Sequence, residues 1–166
     1  MTAGQQRKSD PAGSLLKAYS ANARASQYLV EHLDPSIWRT RQPGAGGRTI
    51  AALVAHLHNC GLRYLERSAP GVPVPAELNR FRVTPAQAIR ALGAKRKAVL
   101  KIVGGALSSG ARIRGFPYDA AGFLAYYIAH DAHHRGQILM QARLLGCPLD
   151  RKVVEGLWQW GKRSKE

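Results

Sequence analysis

A chain of 166 residues with 45% apolar side chains is long enough to bury a real core and fits one domain. Its 25 Lys and Arg against 10 Asp and Glu give a formal charge of +15, and nine of those bases lie between Glu77 and Asp119 with no acid among them. Two cysteines, Cys60 and Cys147, far apart and outside any C-x-x-C arrangement, argue against a disulfide framework and a thiolate zinc knuckle.

Residues 1–12 are expected to form a flexible N-terminus before a single helical domain, 13–166. Leu15, Leu16, Tyr19, Ala23, Ser26, Leu29, Val30 and Leu33 recur at spacings of three and four, which predicts a first helix from about Gly13 to Leu33, ended by Asp34-Pro35. The stretch from Ser36 to Gly47 holds Pro43 and three glycines and reads as a connection long enough to cross a bundle, with Trp38 capping its end. A second helix, about Arg48 to Arg67, buries Ile50, Leu53, Val54, Leu57, Tyr64 and Leu65, and the proline-rich run Ala69 to Pro75 breaks it. Thr84-Pro85 opens the third helix with a capping hydroxyl and a proline at the first helical position, and Gly104-Gly105 is expected to close it. On that helix Ile89, Leu92, Val99, Leu100 and Val103 make the apolar face, Arg90, Lys97 and Lys101 fall opposite, and Arg96 falls on the apolar side. A fourth helix is predicted from Pro117 to Leu145, stopped by Gly146-Cys147-Pro148, and a last short one from about Asp150 to Lys162. No segment alternates at period two, so the fold class is all-α: a four-helix bundle with a C-terminal helix packed on it.

Within the fourth helix, Ala129-His130-Asp131-Ala132-His133-His134-Arg135-Gly136-Gln137 places His130 and His134 four residues apart, stacked on one face. At about 100° per residue they share a stripe with Phe123, Tyr127, Gln137, Gln141 and Leu145, apolar at its ends and polar in its middle. A bundle core rejects unpaired imidazoles and amides at a cost of roughly 1 to 3 kcal/mol each. The pair therefore calls for a metal ion, a wetted groove or partners across the bundle. A third ligand would come from the second helix, where His56 and His58 lie about 200° apart and so cannot both face one ion; phase alone does not choose between them. Cys60, one turn after His56, could border the same site.

The runs Leu53-Val54-Ala55-His56-Leu57-His58-Asn59 and Ala129-His130-Asp131-Ala132-His133-His134-Arg135-Gly136-Gln137-Ile138 resemble, in their order, the DinB-like (damage-inducible, YfiT-like) four-helix bundle proteins. The resemblance extends from about Leu15 to Leu145, and its H-x-x-x-H-R-G-Q motif is the more specific part. It implies a divalent metal, commonly zinc or nickel, on one histidine of the second helix and both of the H-x-x-x-H motif: His56, His130 and His134, with His58 the alternative to His56. It also implies, for some members, transferase or isomerase activity with low-molecular-weight thiols as cosubstrates. His133 falls off the stripe and reads as a surface or supporting residue.

Three imidazoles leave a fourth position open, as in a catalytic zinc site. The functional expectation is a metal-dependent enzyme that activates a thiol or water for transfer to a small electrophile. The alternative is a non-enzymatic, metal-dependent or nucleic-acid-binding role, which the charge favours and the absence of a recognition motif does not. Reading His130-Asp131-x-x-His134 as a variant zincin motif would make Asp131 a general base. Aspartate is one methylene short and about 100° off the stripe, so an interhelical hydrogen bond suits it better. A homodimer is expected from the apolar C-terminal residues Leu157, Trp158 and Trp160. With no apolar run long enough to span a bilayer and no signal-peptide core, a cytoplasmic location is expected.

Overall fold

The computed structural model describes residues 10–42, 44, 47–117 and 119–166. Most of the expected flexible N-terminus, residues 1–9, lies outside the described residues, as does Pro43. Pro11 and Ala12, which the sequence reading assigned to that segment, are helical.

The ends of the helices are set by caps. Asp10 accepts a hydrogen bond from Gly13 N at 2.9 Å and Pro11 supplies a preset φ, so α1 (Pro11–Glu31) begins two residues before its predicted start. A 3-10 turn, Pro35–Ile37, follows, and the buried Trp38 donates its indole N–H to Val83 O at 2.8 Å, tying this connection to the segment before the third helix. Thr49 caps α2 (Ile50–Ser68), and Thr84 with Gln87 forms a full capping box on α3 (Pro85–Ser109). Helix α3 runs through Gly104-Gly105, where the sequence reading ended it. The buried Val103 and half-buried Leu107 carry the apolar face past the pair, and the stop comes at Gly110, whose φ of 69° is left-handed. Asp119 caps α4 (Ala120–Leu144), three residues after the predicted start.

The predicted C-terminal helix is two pieces, α5 (Arg151–Gly156) and α6 (Trp160–Arg163). Gly156 presses on Tyr28, where a Cβ would come 2.7 Å from the phenol oxygen. Its carbonyl accepts Arg163 Nε at 3.1 Å instead of continuing a helix, and the Arg163 guanidinium stacks 3.8 Å from the Tyr28 ring centre.

Helices α1 and α2 each pack against α3 and α4, so they lie on one diagonal of the bundle, and α6 covers α1. The connection between α1 and α2 therefore crosses the bundle end, as its length suggested. Arg90, Lys97 and Lys101 are exposed as predicted, while the half-buried Arg96 donates to Glu166 O at 3.0 Å. Among the described residues no helix is long and apolar enough to cross a membrane.

The core is divided. One apolar cluster contains Leu29, Ile50, Val54, Leu92 and Ile138; the other contains Tyr19, Leu62, Val99, Phe123 and Leu124. Between them each long helix contributes polar buried residues at one level: Asn22 and Ser26 from α1, His58 from α2, Lys95 from α3, and Asp131 and His134 from α4. This polar layer reaches the surface at the histidines.

Candidate metal centre

Helix α4 buries Ala120, Phe123, Leu124, Tyr127, Asp131, His134, Ile138 and Ala142. The centre of that face lies about 50° round the helix from the stripe read in the sequence, which runs instead along the edge of the interface. His134 is buried, His130 is half-buried and Gln137 is exposed, as befits a site with access to solvent.

One flank of α2 meets this edge. His56, His130 and His134 come together with one possible ligand atom from each, all within 4.8 Å of one another. Ring centres are 4.8 Å apart for His56 and His134, 5.7 Å for His56 and His130, and 4.6 Å for His130 and His134. His58 turns to the other side, where it is buried with Nε2 3.0 Å from Ala76 O. His133 is exposed and packs edge-on to His134 at 5.0 Å between ring centres.

The donor chemistry suits a divalent cation. Burial, then the positive charge of Arg48 and the neighbouring histidines, lowers the pKa of His56 to about 4. Burial also lowers that of His134, against the opposing effect of its hydrogen bond to Gln137. Both rings are thus neutral at pH 7, and a metal need displace no proton from them. Gln137 Oε1 lies 2.7 Å from His134 Nδ1, so that nitrogen carries the proton and Nε2 keeps its lone pair. His130 Nδ1 lies 3.7 Å from Asp131 Oδ1, and Tyr126 stacks on the His130 ring at 6.1 Å.

Asp131 is fully buried and Lys95 is 1% exposed. Lys95 Nζ donates to Asp131 Oδ1 at 3.3 Å and to Leu57 O at 3.1 Å, while Asn22 Nδ2 donates to Asp131 Oδ2 at 3.4 Å. Burial alone would raise the Asp131 pKa, but Lys95, His130 and Arg135 together hold it below the ordinary carboxylate value. A carboxylate so enclosed makes the interhelical hydrogen bonds expected of Asp131, which suits an anchor better than a general base. Gly61 makes the space: a Cβ there would stand 2.9 Å from Lys95 Cδ and 3.1 Å from Tyr127 Cε1, and Tyr127 donates to Gly61 O at 2.5 Å. Arg135 donates to Asn22 O at 3.1 Å and Ser26 Oγ at 2.9 Å, an interhelical tie between α4 and α1.

Sequence reasoning missed Lys95, although the signal was present: it falls in phase with Ala88, Leu92, Val99 and Val103 on the buried face of α3. Cys60 does border the site, half-buried, and burial pushes its thiol pKa up.

No curated protein is significantly similar to this chain. A solved structure from Exiguobacterium sibiricum 255-15, described as a candidate member of the DinB family, superposes with a TM-score of 0.59 at 18% identity, covering 89% of this chain and 99% of that one. The likeness is one of fold. The sequence profile of the DinB superfamily matches residues 18–138, which hold α2, α3 and all three clustered histidines. The chain belongs to the DinB superfamily.

Proposed function

We propose that His56, His130 and His134 hold a divalent metal ion, zinc or nickel, and that the metal-bound protein is an enzyme activating a low-molecular-weight thiol or a water for transfer to a small electrophile. The observation that carries this reading is the meeting of three imidazoles from two helices, with ligand atoms within 4.8 Å, at an edge open to solvent. A divalent ion held by three nitrogens with one position free supplies Lewis-acid activation of a thiol or water near neutral pH. Gln137 fixes the tautomer of His134, and the Asp131 carboxylate, held by Lys95 and Asn22, faces His130. Cys60 stays a protonated thiol beside His56, a poor nucleophile, which favours an external thiol as the attacking group. The net charge of +15 favours a second reading, a metal-dependent or nucleic-acid-binding module without catalysis.

Metal analysis of untagged protein purified without chelator is expected to give one ion per chain. His134→Ala should lose it while keeping its far-ultraviolet helical signal, and equal metal in both proteins would refute the ligand set. Turnover of a model electrophile should then require both metal and a thiol from a panel of glutathione, mycothiol and bacillithiol. Sequence-selective DNA binding at physiological salt with no turnover would favour the second reading.

A further inference from the structure

The flank of α2 that carries His56 also carries Ala52, Ala55, Asn59, Cys60 and Arg63, and Arg48 stands just before the helix cap at the head of this strip. With Arg80 from the segment between α2 and α3, these residues enclose a recess of about 260 Å³ whose wall includes the His56 ring.

The segment that carries Arg80 is held against α2 by three ties. His58 bonds Ala76 O at 3.0 Å. Asn59 makes a reciprocal pair with Leu78, its Nδ2 donating to Leu78 O at 2.9 Å and its Oδ1 accepting from Leu78 N at 2.8 Å. Arg63 grips Glu77 through Nε at 2.7 Å and Nη2 at 3.3 Å. The Arg80 guanidinium rests 4.6 Å from the Phe81 ring centre.

Three arginine side chains thus line one small recess, and Glu77 pairs with Arg63. Neither Arg48 nor Arg80 has a carboxylate within 4.0 Å among the described residues. Arg48 and Arg80 are exposed and so reachable from solvent, and two positive side chains without a carboxylate partner beside one recess attract an anion. Guanidinium forks match carboxylate and phosphate oxygens in geometry as well as charge. A second, larger recess of about 580 Å³ shares Arg48 and is lined by His133, Gln137 and Met140, which leaves room for the rest of a bound molecule.

We propose that Arg48 and Arg80 bind an anionic group, carboxylate or phosphate, of the small molecule on which the three-histidine site acts. The inference rests on the metal-dependent reading above and narrows its substrate to a small anion, positioned by Arg48 and Arg80 with its reactive end toward His56.

The test titrates inorganic phosphate and succinate into metal-supplied protein by calorimetry at fixed ionic strength, one arm for each oxyanion class, with metal content measured on every sample. Arg48→Gln/Arg80→Gln should weaken the preferred anion about tenfold or more, with metal content and thermal midpoint unchanged. Lys97→Gln/Lys101→Gln, on the exposed face of α3, should leave the affinity as it was. Equal affinity in wild type and the arginine variant, no measurable binding of either anion to wild type, or an equal loss in the lysine variant would overturn the proposal. If wild type takes up no metal yet binds an anion through Arg48 and Arg80, the recess stands and the metal reading falls; if metal is bound and anion affinity ignores both arginines, the reverse holds.

Discussion

Lys95 lies between the two apolar clusters with its ammonium on Asp131 and a backbone carbonyl, and the pair is safe only while both charges are present. Removing one partner leaves the other buried and uncompensated, which costs about 3 to 5 kcal/mol, whereas replacing both with apolar side chains is close to neutral. Lys95→Met is therefore expected to lower unfolding free energy by about that amount in urea titrations of metal-free protein, with Lys95→Met/Asp131→Leu recovering part of it, since Asn22 Nδ2 then lacks its carboxylate acceptor. A single variant as stable as wild type would mean the pair contributes nothing. The double variant carries a second consequence: with the carboxylate beside His130 gone, metal affinity should fall even though the fold is restored, by roughly 10- to 100-fold. The histidine pair was legible because four-residue spacing is a direct statement about a helical face. Asp131 was placed off that face because the stripe was centred on the histidines, when the buried face of α4 is centred nearer Asp131 itself.

At the scale of elements, the segment from Ala69 to Thr84 has no helix or strand of its own; side chains reaching out of α2 hold its middle, while Trp38 and Arg39 hold its end by donating to Val83 O at 2.8 and 2.6 Å. Arg63 holds the Glu77 carboxylate below its ordinary pKa of 4.5, chiefly through their hydrogen bond. A folded-state pKa depressed in this way contributes stability above the unfolded value and loses it as pH falls through the folded one. Amide exchange at residues 76–80 should accordingly quicken as pH drops below about 4.5, beyond the intrinsic trend, and Glu77→Gln should show that faster exchange already at pH 7. Unchanged protection in Glu77→Gln would assign the work to Asn59 and His58. The long helices were readable because apolar spacing and caps agree: Thr84-Pro85 marked the start of α3 correctly. Gly104-Gly105 misled because intrahelical glycine costs only about 1 kcal/mol each, less than the apolar face gains by continuing. The break between α5 and α6 had only Gly156 as a local signal, and what makes the glycine necessary there, the Tyr28 ring against it, is brought by the fold.

For the whole molecule, charge and apolar surface pull against each other. Met140 and Leu144 on α4 are 58% and 54% exposed, and Trp158 between α5 and α6 is 78% exposed. Two adjoining recesses lined by Leu139, Pro148, Leu149 and Val154 connect Met140 to Trp158 along one face. An apolar strip of this kind on a small bundle is suited to association, and we propose a second copy of the chain as its occupant, in a two-fold homodimer. Each copy carries +15, so the two repel over a range set by the Debye length, about 10 Å at 0.1 M salt and about 3 Å at 1 M. Salt should then strengthen the dimer, since screening removes the repulsion while the apolar contact remains. That sign is opposite to the one expected for nucleic-acid binding, where salt weakens the complex. Light scattering at tens of micromolar protein should give a larger mass in high salt than in low, and Trp158→Lys should return the high-salt sample to the monomer mass. A monomer at both salt concentrations would dismiss the dimer, and a dimer that salt dissociates would move the interface from this apolar face to the charged ones.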